Sequence, residues 1–362
     1  MNGIKGKVTS FEALYNAINK CKKNVMWKGS VAGFVKNNLV NCVKLKKQLL
    51  DDTYRIDDYT VFTIYEPKKR VIVSTRFKDR VFQRSLCDNY LYKTMTKGFI
   101  YDNCACQIGK GVDFAMNRLN NHLHKFYRHY NTSGYVLKCD ISNYFGNTEH
   151  NVAKAAVRKR VKDDWVYGKV CDIIDSFCQG DNPEIGMGLG SQVTQLIQLA
   201  VLDDLDHYIK EELHIKHYLR YMDDFILIHE DKEYLKFCYN AIKDKLGGLH
   251  LSLSKKKTQL FPLKHGIKFL GFHFYLTATG KVIRKINSQN VKNEKRKLKK
   301  LRVRMSSGLM SHQQIDVCFQ SWKAHLARGN TYKVIKTMET YYEKIMKEKS
   351  NETDKNCRAT QT

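Results

Sequence analysis

Three aspartates carry the chemistry that this sequence can support. Asp140 closes a short apolar run, Tyr135-Val-Leu-Lys-Cys139, and Asp223 with Asp224 follows 83 residues later in Tyr221-Met-Asp-Asp224. The segment from His217 to Glu230 reads as strand, turn, strand, with Asp223-Asp224 at the tip. Aspartate is a common turn residue, but two adjacent acids repel each other, and a purely structural hairpin tip between two apolar strands rarely selects them. Carboxylates fixed on strand ends are what two-metal phosphoryl transfer needs. Two divalent ions about 4 Å apart activate a hydroxyl and steady a leaving pyrophosphate.

The elements that must position these acids are legible as periodicity. Residues 1–55 are basic and helical, with apolar side chains three and four apart around Phe11, Leu14, Ile18 and around Val31, Phe34, Val35. Segments 59–65 and 70–74 read as strands about a turn at Pro67, and the helical period returns over 79–91. Gly109-Lys-Gly111 interrupts the chain before a helix over 112–130. A helical region covers 149–180, and Gly186, Gly188 and Gly190 form a loop. The spacing of Ile197, Val201 and Leu205 predicts one long amphipathic helix over 195–212. A helix over 232–246 and strands near 258–261 and 267–275 follow. From 282 to 304 there are ten basic residues and one acidic one on a helical period, then helices to about 345 and a polar tail expected to be disordered. Trp322, His325 and Tyr332 are expected in the core of this last helical region.

Composition narrows the partner. The 362 residues, 43% apolar with 3 prolines and 21 glycines, suit packed domains rather than low-complexity text. A formal net charge of +27 is costly in self-repulsion unless a polyanion neutralises it, so nucleic acid is the expected partner. No signal peptide, long apolar run or lipidation motif is visible, which predicts a cytoplasmic protein without membrane attachment. The 11 cysteines contain no C-x-x-C pair and are expected to be reduced.

Tyr221-Met-Asp-Asp224 resembles the signature of reverse transcriptases, and the resemblance extends in order over about residues 55–335. Asp140-Ile-Ser-Asn-Tyr-Phe145 is similar to the first palm motif, in which the residue at the position of Phe145 acts as a steric gate against the ribose 2′-hydroxyl. Leu189-Gly-Ser-Gln-Val-Thr-Gln195 resembles the loop and helix that pack on nucleotide and template. Leu249-His-Leu-Ser-Leu-Ser-Lys-Lys-Lys257 resembles the next motif, and Phe269-Leu-Gly-Phe-His273 the primer-grip hairpin. Glu66-Pro-Lys-Lys-Arg70 with Asp79-Arg-Val81 is similar to the fingers.

The fold this implies is α+β: a right-hand polymerase with fingers, an antiparallel palm sheet flanked by helices, and a small helical thumb. The expected boundaries are an N-terminal helical extension at 1–55, fingers at 56–134, palm at 135–280 with finger elements at 150–185, thumb at 281–345 and a tail at 346–362. The resemblance implies two Mg²⁺ ions, with Mn²⁺ as a substitute, on Asp140, Ile141, Asp223 and Asp224. It assigns nucleotide binding to Lys69, Arg70, Phe145, Leu189, Gly190 and Gln195, with Arg70 preferred over Lys69 because its planar fork binds phosphate bidentately. Lys257 is a candidate proton donor to pyrophosphate. Primer and template contacts fall to Tyr221, Met222, Leu270, Gly271, Arg296, Lys299 and Lys300.

Within the family, group II intron enzymes carry Gln where Leu189 stands and Ser-Pro where Thr194-Gln195 stand. An aliphatic residue before the glycine, with Gln in place of Pro, resembles the reverse transcriptases of diversity-generating retroelements. That resemblance implies error-prone copying at template adenines, a template RNA, a DNA primer, dNTPs and a small basic pentameric accessory protein in a bacterial or phage-encoded system. Two alternatives are a defence-associated (abortive-infection or retron-like) enzyme and a non-catalytic RNA-binding, maturase-like protein.

Overall fold

The N-terminal helices form where the apolar spacing predicts them: α1 (Ile4–Thr9), α2 (Phe11–Cys21), α3 (Gly29–Lys36) and α4 (Asn38–Leu50). The Ser10 hydroxyl accepts from the Ala13 amide to cap α2, whose Leu14, Ala17 and Ile18 are buried. The computed structural model describes residues 3–65, 70–177 and 182–347. Lys69 and residues 348–362 of the tail expected at 346–362 lie outside the described residues, and the first two residues of that tail, Met346 and Lys347, are helical.

β1 (Thr60–Ile64) and β2 (Arg70–Ser74) pair antiparallel in the register Thr60↔Ser74 to Ile64↔Arg70. α5 (Phe77–Leu86) passes through a π-turn at Cys87–Leu91 into α6 (Tyr92–Thr96), and α7 (Val112–Tyr130) starts right after the glycine break. β3 (Tyr135–Asp140) ends on the first aspartate, as expected. α8 (Tyr144–Asn147), α9 (His150–Arg160) and α10 (Asp164–Asp175) follow.

The single helix expected over 195–212 is divided. α11 (Gln192–Val201) starts earlier because the Ser191 hydroxyl accepts from the Val193 amide. Leu202 leaves helical geometry at φ −98°, ψ 7°, and α12 (Asp203–His207) and a π-turn at Tyr208–Glu212 complete the segment. Apolar spacing reports the buried face but is blind to this redirection, which buries Asp206 completely.

β4 (His217–Tyr221) and β5 (Asp224–His229) form the predicted hairpin, with Tyr221 paired to Asp224. The tip is therefore Met222-Asp223, and Asp224 is the first strand residue rather than a turn residue. α13 (Lys232–Gly247) begins at Asp231, whose carboxylate accepts from the Glu233 and Tyr234 amides. β6 (Gln259–Pro262), β7 (Ile267–Phe269), β8 (Phe272–Leu276) and β9 (Val282–Ile286) come next. The basic helical text from 282 thus begins as a strand. Val282, Ile283 and Ile286 are β-branched and pair with β8, and the Asn287 side chain caps α14 (Ser288–Ser306). α15 (His312–Leu326), opened by a capping box of Ser311 and Gln314, and α16 (Tyr332–Lys347) end the fold.

Strand order is β1-β2 in one sheet, β4-β5-β3-β6 in the second and β7-β8-β9 in the third. Helices and sheets are mixed throughout, so the class is α+β. The chain divides into two compact units. The first holds the chain up to Ala115 and Leu137–Leu260, and its second sheet is backed by the fully buried Tyr218, Leu219, Phe225, Ile226 and Leu227. The second holds Met116–Val136 and the chain from Phe261 onward. Its helical core is Leu298, Leu301, Ile315, Phe319, Met338 and Tyr342, with Trp322 packed against it. His325 sits against the Phe272 ring, whereas Tyr332 is 73% exposed, because it opens α16 ahead of the turn that faces the core. Among the described residues no helix is long and apolar enough to cross a membrane, and every described cysteine is free.

Candidate active site

Two neighbouring strands bring the three aspartates together. In the order β4-β5-β3-β6, Asp140 ends β3 and Asp224 begins the adjacent β5. The Ile141 amide donates to the Asp223 carbonyl at 3.2 Å, which ties the hairpin tip to the end of β3. On the other side the Ser254 amide donates to the Asp140 carbonyl at 2.7 Å, and the Ser142 amide to the Ser252 carbonyl at 2.9 Å. The backbone beneath the acids is thus fixed from both flanks, the rigidity that a positioned carboxylate requires.

Each outer carboxylate meets a lysine. Lys257 Nζ lies 2.6 and 2.8 Å from the two oxygens of Asp140. Lys138 Nζ, from β3 itself, lies 3.0 Å from Asp224 Oδ2. The other Asp224 oxygen, Oδ1, is buried and has no hydrogen-bond partner. Burial pushes the Asp224 carboxyl up to about 6 against the pull of Lys138, and the charges of Asp140 and Asp223 push the same way. Asp223 is also raised, first by burial and then by Asp140, while Lys257 and Arg70 oppose the shift. The charge of Asp140 therefore bears on both Asp223 and Asp224.

An all-oxygen donor set with an unsatisfied buried carboxylate oxygen suits a hard divalent cation such as Mg²⁺ or Mn²⁺. Ile141 has a hydrocarbon side chain, so only its carbonyl fits such a set. Among the described residues no three His, Cys, Asp or Glu side chains converge closely enough to hold an ion as they stand. Two of the three carboxylates are turned onto lysines, and an ion would exchange with those ammonium groups.

The hairpin tip is held in an uncommon conformation. Met222 has φ +57°, the value that two-residue hairpin turns demand and that glycine adopts most readily. Tyr221 and Met222 are half-buried, and Met222 Sδ lies 3.7 Å from Cys106 Sγ. Arg220, just before the tip, is completely buried and donates to the Met222 carbonyl at 3.0 Å.

A cavity of about 590 Å³ gathers Arg70, Phe145 and Leu189 with Tyr59, Phe177 and Gly188. The Met187 amide donates to the Phe145 carbonyl at 2.7 Å, so the glycine loop and the expected gate share one backbone contact. A Cβ on Gly188 would stand 2.0 Å from the Phe177 ring, which stacks on Tyr59 with centroids 4.9 Å apart. Arg70 is exposed at the start of β2, and its charge reaches Asp223, linking cavity and acids. Gly190, at φ +116°, and Gln195, half-buried on α11, are not among the residues lining this cavity. The Thr194 hydroxyl donates to the Gly188 and Ser191 carbonyls and so serves the loop.

The remaining predicted contacts belong to the second unit. Leu270 and Gly271 form the two-residue link between β7 and β8, with φ of +46° and +88°. Arg296, Lys299 and Lys300 are exposed on α14, whose buried side is Glu294, Leu298 and Leu301.

Sequence reasoning missed Lys138, Arg220, Asp206 and Phe177. Lys138 had a signal: two residues before Asp140 on a strand, it must share that residue's face. Arg220 had a weaker one, a charge inside an otherwise apolar strand.

The family described as "Reverse transcriptase (RNA-dependent DNA polymerase)" matches residues 66–274. No curated protein matches the chain. Among solved structures, apo telomerase from Candida tropicalis is similar at 15% identity and a TM-score of 0.45, over 64% of this chain and 49% of that one. Telomerase from Candida albicans, in complex with a TWJ fragment of telomeric RNA, is similar at 10% identity and a TM-score of 0.48, over 74% of this chain and 55% of that one. The chain spans about half the length of these telomerases, and likeness at this level decides neither their activity nor their partners for it. The match over 66–274 takes in more than half of the chain, including all three aspartates and Arg70, Phe145 and Leu189, and on it the chain belongs to the reverse transcriptase family of RNA-dependent DNA polymerases.

Proposed function

We propose that this protein copies a template RNA into cDNA by two-metal phosphoryl transfer, in a right-hand arrangement whose palm carries Asp140, Asp223 and Asp224. The observation that carries the reading is that those three aspartates stand on adjacent strand ends and the hairpin turn beside them, while the charge of Arg70, which lines the cavity with Phe145 and Leu189, reaches Asp223. The three aspartates and the Ile141 carbonyl would hold the two magnesium ions, which when bound supply acidity to the primer hydroxyl and neutralise triphosphate charge. Arg70 offers a planar fork to the triphosphate. Phe145, which lines the cavity, would collide with a ribose 2′-hydroxyl. Lys257, at hydrogen-bond distance from Asp140, would donate a proton to the departing pyrophosphate. Arg296, Lys299 and Lys300 supply phosphate contacts for the primer–template duplex.

The finer reading is a mutagenic enzyme of a diversity-generating retroelement, acting in a bacterial cytoplasm with a basic accessory protein. Leu189 supports it: it lines the cavity with a hydrocarbon side chain and offers no hydrogen bond to test base-pair geometry. Primer extension on a heteropolymeric RNA with Mg²⁺ and four dNTPs, followed by cDNA sequencing, tests both levels. Product that disappears in Asp223→Asn and carries substitutions opposite adenine is expected. Accurate cDNA would move the enzyme to a defence or retron-like role, and absence of product with intact RNA affinity would favour a binding role.

A further inference from the structure

Arg220 and Asp206 form an ion pair with both side chains fully buried, immediately beneath the hairpin tip. Arg220 Nε donates to Asp206 Oδ1 at 2.7 Å, and Nη2 to Asp206 Oδ2 at 2.6 Å. The same Nη2 donates to the Leu199 carbonyl at 3.1 Å, and Nη1 to the Met222 carbonyl at 3.0 Å. Asp206 Oδ1 also accepts from the Tyr218 hydroxyl at 2.6 Å. The Arg220 backbone is equally committed: its amide donates to the Asp102 carbonyl at 3.0 Å, and its carbonyl accepts from the Cys104 amide at 2.8 Å. The guanidinium therefore ties α11, α12 and the turn between β4 and β5, and the backbone of the same residue adds the 102–104 segment.

A buried ion pair is weak grounds for a stabilising role, because desolvation offsets most of the Coulomb attraction and apolar replacements are often neutral. This pair has a feature that stability alone does not require. Its third arm ends on the carbonyl of Met222, the residue with φ +57° that sets where Asp223 and Asp224 point. A turn in that conformation persists where its surroundings over-determine it. The planar fork serves Asp206 and the Met222 carbonyl at once; a lysine ammonium in its place is a point donor without that geometry.

We propose that Arg220, oriented by Asp206, is a positioning residue for the polymerase reaction, holding the Met222-Asp223 turn so that the two aspartates meet Asp140. This rests on the reading of Asp223 and Asp224 as reacting carboxylates. The test compares the full chain with Arg220→Lys, with the apolar triple Tyr218→Phe/Asp206→Leu/Arg220→Met, and with Asp223→Asn. Each is measured for melting temperature, affinity for an RNA–DNA duplex, and kcat and KM for dNTP. Arg220→Lys is expected to fold, to keep duplex affinity and KM within about twofold, and to lose kcat by roughly tenfold to a hundredfold, the scale of a misplaced catalytic group. The triple variant is expected to melt near the parent and still lack kcat. A folded Arg220→Lys or triple variant with parental kcat overturns the proposal. Loss of folding in both makes the pair a stability element and overturns it as well. Synthesis that survives Asp223→Asn instead overturns the catalytic reading beneath it.

Discussion

Lys138 and Asp224, on adjacent strands of one sheet, meet at 3.0 Å with both side chains mostly shielded from water. The pair neutralises half of a carboxylate whose other oxygen is buried without a partner. Lys138→Met is expected to destabilise the protein by about 1–2 kcal/mol, since it leaves a largely buried carboxylate uncompensated while some solvent access remains. Asp224→Asn in the same background should recover most of that loss. Chemical denaturation of the two single variants and the double variant checks this, and additive losses would show that the pair does not couple.

Phe145 and Leu189 line the same cavity and should separate sugar selection from base selection. Phe145→Ala is expected to raise ribonucleotide incorporation by roughly tenfold to a hundredfold, matching a lost discrimination of about 1–3 kcal/mol. Leu189→Gln should leave sugar selection alone and lower substitutions opposite template adenine. Competition between rNTPs and dNTPs, with sequencing of the cDNA, measures both. An unchanged error spectrum in Leu189→Gln would remove the cavity wall as the source of infidelity.

Gly188 is required by packing. A methyl group there would penetrate the Phe177 ring, and that ring is braced by Tyr59. Gly188→Ala is expected to cost about 1–3 kcal/mol of stability, the scale of an overpacked core, and to raise KM for dNTP as Phe177 is driven into the cavity. Thermal melts and steady-state kinetics on one preparation test it. A normal KM would mean that the ring moves elsewhere.

Lys299 and Lys300 stand exposed on α14, away from its buried Leu298 and Leu301. Reversal of both to Glu should weaken binding to an RNA–DNA duplex without changing its sequence preference. The slope of log affinity against log salt should become shallower by roughly one unit per lysine. Fluorescence anisotropy across a salt series reads this directly.

The chemistry and most elements follow from local rules that operate along the chain. Alternation and apolar runs mark β3, β4 and β5, the glycine break marks the start of α7, and the motifs single out the three aspartates. Where the local pattern is ambiguous, tertiary pairing decides the element. Residues 282–286 share the basic composition of the helix that follows, but pairing with β8 takes them into a sheet. The 195–212 segment kept its apolar face yet broke at Leu202, where tertiary contacts redirect α12.

What the sequence alone determined is which carboxylates exist, that one ends a strand and two stand at a hairpin, and that a polyanion must balance the charge, because hydrophobic periodicity and net charge are additive along a chain. Only the tertiary structure decided which side chains hold them. The lysines on Asp140 and Asp224, the Arg220 fork on Asp206 and the Phe177 wall against Gly188 join residues from 11 to 117 positions apart. Burial, and with it the raised Asp223 and Asp224 carboxyls, arises when those distant segments exclude water together, and no local pattern encodes that.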